Sequence, residues 1–76
     1  MKTGIIIRNI ENRALARITH WDHVWVNRST GAVWDSAFIV EYLTGTKAGQ
    51  RYVEQIPDWE QHWERVYMAK FPLEEI

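Results

Sequence analysis

A chain of 76 residues has room for one small domain and none for a second catalytic lobe or a long linker. With 46% apolar and 25% charged residues it has the balance of a folded domain rather than a disordered segment, and with no cysteine it has no disulfide, thiolate zinc site or cysteine nucleophile. The net charge of −1 divides into a mildly basic front, five Lys and Arg against three Asp and Glu over residues 1–38, and an acidic back, four against seven over 39–76, a weak basic excess for a phosphate-binding domain.

Gly4 leads a β-branched run, Ile5, Ile6, Ile7 and Ile10, that suits a strand central in its sheet. After Glu11, Asn12 and Arg13 break the run, residues 14–19 alternate Ala14, Ala16 and Ile18 with Leu15, Arg17 and Thr19, the period of a second strand, although Ala14 to Arg17 is also good helix material. The stretch from His23 to Asn27, the polar loop Arg28 to Gly31 and the stretch from Ala32 to Trp34 read as a hairpin whose glycine closes the loop. A four-residue loop pairs Asn27 with Ala32 and sets Trp25 opposite Trp34, whereas a glycine bulge pairs Arg28 with Ala32 and sends Trp25 to the other side.

Beyond the hairpin the patterning predicts helices. Asp35 or Ser36 is placed to cap a short helix through Leu43, stopped by Gly45, and this is preferred narrowly over a strand favoured by Phe38, Ile39, Val40 and Tyr42. Thr46 caps a second helix over residues 47–55, with Ala48, Tyr52 and Ile56 on one face. Asp58 and Gln61 have capping-box spacing for a third, in which Trp59, Trp63, Val66, Tyr67 and Phe71 form a stripe that Pro72 ends. The expected fold is therefore α+β: a small antiparallel sheet of hairpins, residues about 3–35, followed by two or three short helices packed on one face.

Chemistry-bearing patterns are sparse. His20 and His23 would share a helix face but point to opposite faces of a strand, so a metal site is not expected, and His20 with Asp22 lacks a nucleophile to serve. Ser29 and Ser36 fit turn and cap roles, and the stretch from Thr44 to Gly49 lacks the residue order of a phosphate loop. No enzyme signature and no cofactor motif results. No apolar run approaches the roughly 20 residues of a membrane span, and the start of the chain lacks an export signal, so a soluble cytoplasmic protein is expected.

The segment from Trp25 to Trp34, Trp-Val-Asn-Arg-Ser-Thr-Gly-Ala-Val-Trp, is similar to the second hairpin of a WW domain, which would imply a proline-binding groove. It departs from that family where Arg28 stands in place of the common histidine, where the stretch from Thr30 to Trp34 is one residue short, and where no proline follows Trp34 closely. No binding residue is carried over from the resemblance.

Five Trp, three Tyr and two Phe are more ring than so small an interior readily hides. The expected function is therefore non-enzymatic protein binding. Arg8, Arg17, Trp21, Trp25, Arg28 and Trp34 would form the docking surface for a larger protein of acidic or mixed charge. Size and form suggest a phage or mobile-element modulator or inhibitor of a host machine such as RNA polymerase or a defence complex. The alternative is nucleic-acid binding, with sheet aromatics stacked on bases and Arg8, Arg13, Arg17 and Arg28 on phosphates. A monomer and an edge-paired homodimer are both compatible with the sequence.

Overall fold

The computed structural model describes residues 3–66. Four strands run as an antiparallel meander: β1 (Ile6–Asn9), β2 (Leu15–Val26), β3 (Val33–Tyr42) and β4 (Arg51–Gln55). A single 3-10 turn (Trp59–Gln61) then leads into β5 (Trp63–Arg65), which pairs with β1, giving the strand order β4-β3-β2-β1-β5. The expected sheet is present and β1 lies between two neighbours, but the expected helices are absent among the described residues. The α+β assignment is corrected to an antiparallel sheet with one 3-10 turn.

Each helix is absent for an identifiable physical reason. Residues 37–42 belong to β3, because Phe38, Val40 and Tyr42 alternate with Ile39 and Glu41 and the alternate set enters the core. Residues 45–50 turn rather than coil: Gly45 and Gly49 hold φ of 83° and 86°, which no helix accommodates, and the Gly49 N–H donates to the Tyr42 carbonyl at 2.8 Å. Residues 51–55 then pair with β3. Asp58 does not cap a helix; it takes the left-handed conformation, φ 64°, and makes no side-chain cap bond. The chain runs from there through the 3-10 turn into β5. The remainder of that expected helix, Tyr67 to Phe71 and the stop at Pro72, lies outside the described residues.

The core is one face of this sheet: Ile7, Ala14, Ala16, Ile18, Phe38, Val40, Tyr42 and Trp63. Three inter-strand spacings separate β3 from β5, about 14 Å in a flat sheet. Yet the Phe38 and Trp63 ring centroids are 6.5 Å apart. The sheet is therefore strongly curled, and Trp63 closes it from the far edge. Trp59 reaches the same cluster, 6.3 Å from Phe38. Trp59 and Trp63 thus share an apolar environment through the sheet and the 3-10 turn, and not through the helical stripe that their spacing predicts.

β2 is one long strand that joins the segment from residue 14 to 19 with the first half of the predicted hairpin. Its pairing with β3 shifts register between Ile18 and His20, between His20 and His23, and between His23 and Trp25. At the second shift Asp22 has φ 59°, so an extra residue enters the strand and alternation is reset. Only the lower part of this hairpin has neighbours. β1 pairs with Leu15 to Arg17 and β4 with Ala37 to Glu41, so the far part of β2 and β3 extends as a two-stranded arm. The described residues measure 46 × 25 × 21 Å, in keeping with that projection.

Candidate functional site: a projecting arm and the cleft at its base

The arm ends in the four-residue loop, the first of the two registers weighed above. Trp25 faces Trp34 and Val26 faces Val33, and the Asn27 N–H donates to the Ala32 carbonyl at 2.9 Å. The loop is held internally. Asn27 Oδ1 accepts from the backbone N–H groups of Ser29 (2.9 Å) and Thr30 (3.2 Å), and Thr30 Oγ1 accepts from the Ala32 N–H at 3.2 Å. Gly31, at φ 78°, closes the turn. The arm therefore has a fixed tip and a defined register.

On this arm Trp25 and Trp34 pack against each other, ring centroids 4.9 Å apart and tilted by 54°, and both remain half-buried outside the core cluster. On the opposite face of the ribbon Val24, Val26 and Val33 are 57%, 51% and 55% exposed. A hairpin with strict apolar and polar alternation would show water one polar face; Val24, Trp25 and Val26 are consecutive and apolar on both faces. That signal is legible in the sequence, where Val24, Trp25 and Val26 stand in a row.

The sequence-derived docking residues do not form one surface. Arg8 and Arg17 lie on the side of the sheet facing away from the core, since their neighbours Ile7, Ala16 and Ile18 point inward. Arg8 is engaged there: its Nη1 donates to Glu64 Oε2 at 3.0 Å, and Arg13 Nη1 donates to the same oxygen at 3.3 Å. Trp21 belongs to the rim of the core, 5.1 Å from the Phe38 ring and 6.0 Å from the Trp59 ring. Only Trp25, Trp34 and the exposed Arg28 are brought together, on the arm. The single aromatic and arginine surface is thus corrected to an arm bearing three of the six residues.

The inserted residue at Asp22 changes the histidines as well. His20 and His23 have ring centroids 5.5 Å apart instead of pointing to opposite faces. No group of three or more His, Cys, Asp or Glu placed to hold a metal occurs among the described residues. No helix of the described residues is long and apolar enough to cross a membrane.

At the base of the arm a cleft of about 360 Å³ is lined by Trp34, Glu54, Pro57, Asp58, Gln61 and His62 among others. Glu54 is half-buried, and burial raises its carboxyl above the ordinary value against the pull of His62, the Trp63 indole and Lys47. The folded protein therefore keeps this proton to higher pH than the unfolded chain. Stability tied to Glu54 rises as pH falls from the folded pKa towards the unfolded one, and above that window the buried charge is a standing cost. Glu54→Gln is expected to raise Tm slightly at pH 7 and to leave it unchanged near pH 4, where unfolded glutamate titrates. Thermal melts at the two pH values check this, and a variant less stable at pH 7 would contradict it.

Apart from Trp34, these cleft residues are not among the docking residues expected from sequence, because residues 47–55 and the segment from Asp58 are predicted there as helices. Comparison of the chain with protein-family models, curated proteins and solved structures returned no match, so the arm and the cleft are what its function is read from.

Proposed function

We propose that this chain is a non-enzymatic protein-binding module that grips a larger protein with the β2–β3 arm. The observation that carries the reading is the exposure of Val24, Val26 and Val33, each above half, on the face opposite the Trp25–Trp34 pair of a ribbon with no strand neighbour among the described residues. An exposed apolar face on a ribbon that also carries large aromatic rings has the composition of an interface centre. The ordered loop adds to this, since a preformed arm loses little conformational freedom on docking. Nucleic-acid binding is less well supported, because Arg8 and Arg13, two of its four phosphate-binding candidates, are tied to Glu64.

Affinity capture with the wild-type chain and with the triple variant Val24→Thr, Val26→Thr, Val33→Thr tests the reading. Threonine keeps the β-branched shape and strand propensity, so the fold is expected to persist by circular dichroism. A protein captured by the wild type after nuclease treatment, and lost with the variant, supports the proposal. Equal capture by both, or capture abolished by nuclease, overturns it.

A further inference from the structure

The histidine pair on β2 has no part in the core or in the docking arm. His20 and His23 stand three residues apart, a spacing that sends side chains to opposite faces of a regular strand. The residue inserted at Asp22 cancels that alternation. In the pairing with β3, His20 lies opposite Ile39 and His23 opposite Ala37. Ala37 and Ile39 share a face, the one turned away from Phe38 and Val40 of the core, so both imidazoles stand on that face, and both are exposed. Asp22 holds φ 59°, a left-handed conformation that costs free energy in any residue but glycine and recurs where a strand re-aims side chains at a functional site.

A second, independent feature sets the chemistry of the pair. The Thr19 hydroxyl donates to the Ile39 carbonyl at 3.2 Å, and the same oxygen lies 3.1 Å from His20 Nδ1. The hydroxyl has one proton, already given to a group that only accepts. Thr19 Oγ1 is therefore left to accept from His20 Nδ1–H, which fixes that tautomer and leaves Nε2 as a bare lone pair. A hydrogen bond from the second ring nitrogen is the support that a metal-binding histidine ordinarily has.

The two ring centroids are 5.5 Å apart. Imidazoles bound to one tetrahedral ion through nitrogens at about 2.0 to 2.1 Å have their centres about 5 Å apart, so small side-chain rotations bring both onto one ion. Nitrogen ligands, with no third His, Cys, Asp or Glu grouped beside them among the described residues, do not suit calcium or magnesium, which take oxygen; they suit zinc. We propose that His20 and His23 bind one zinc ion at the base of the β2–β3 arm, His20 through Nε2. Two ligands from the chain leave coordination positions open, so this is an exchangeable ion and not a structural zinc on which the fold depends. The inference goes beyond the arm-docking reading and does not rest on it.

Zinc titrated into the untagged, isotope-labelled chain, followed by calorimetry and by the imidazole NMR resonances, tests the site without any partner. Saturable, micromolar binding is expected, with shifts at His20 and His23 and none at His62. His20→Gln and His23→Gln are each expected to weaken binding at least about tenfold, and His62→Gln to leave it unchanged. All three histidines are exposed, so the variants should keep the wild-type circular dichroism. Zinc should raise Tm in the wild type and not in the His20 or His23 variants. In the zinc-free chain the ring nitrogen shifts of His20 should report the Nδ1–H tautomer, and Thr19→Val, which keeps the β-branch and removes the acceptor, should weaken zinc binding about tenfold. Unchanged affinity in both His20→Gln and His23→Gln, shifts centred on His62, or an Nε2–H tautomer at His20 would overturn the proposal. Those results would leave the arm reading standing, since only the valine variant bears on it.

Discussion

Trp63→Ala is expected to remove about 3 to 5 kcal/mol of folding stability, the usual cost of emptying a buried indole site. A domain at about 0.05 to 0.15 kcal/mol per residue holds about 4 to 11 kcal/mol in all, so the variant should lose a large part of its stability and be largely unfolded if the total lies near the lower figure. The size of the effect follows from position. β5 is three residues long and among the described residues joins the sheet through β1 alone, while the Trp63 ring spans to Phe38 at 6.5 Å and Tyr42 at 5.7 Å on β3. Removing it opens the curl of the sheet as well as leaving a void. Trp63→Phe should be far milder, because phenylalanine restores most of the ring contact and also deletes the buried N–H that lacks an acceptor. Urea denaturation followed by circular dichroism measures both. An alanine variant within about 1 kcal/mol of the wild type would mean that the curl is held elsewhere.

Trp25→Ala should show the opposite profile. Trp25 stands outside the core cluster, so its loss costs stability mainly through the cross-strand pair with Trp34, about 0.5 to 1.5 kcal/mol. Its effect on partner binding should be larger: an aromatic anchor at the centre of an interface is worth about 2 kcal/mol or more, a loss of about 30-fold or greater in affinity. Titration calorimetry with the captured partner, beside a thermal melt of the free variant, separates the two quantities. A variant that binds as tightly as the wild type would remove the tryptophan pair from the interface and leave only the valines to account for it.

The two substitutions show why one aromatic-rich sequence supports both a core and a docking arm. Trp21, Trp59 and Trp63 converge on Phe38, whereas Trp25 and Trp34 converge on each other. Nothing in residue type distinguishes the two sets. The difference comes from where β1 and β4 stop along the hairpin, leaving the outer residues without neighbours. Arginine roles were equally hidden. Arg8 and Arg28 read alike in sequence, but Glu64, 56 residues from Arg8, occupies the first, while the second lies exposed in the arm loop.

Local chemistry by itself determined the short-range features: the isoleucine strand β1, the loop closed by Asn27, Thr30 and Gly31, and the opposition of Trp25 and Trp34 within one of two permitted registers. These depend on contacts a few residues apart, where turn geometry and β-branching carry most of the energy. Tertiary structure alone decided that residues 37–42, 51–55 and 63–65 are strands. Each contains apolar spacing or helix-tolerant residues that both periods accommodate, and only pairing with β2, β3 and β1 selects between them. It also decided the cleft, because Trp34, Glu54 and His62 come together through the pairing of β3 with β4 and the turn that follows, which no local pattern records.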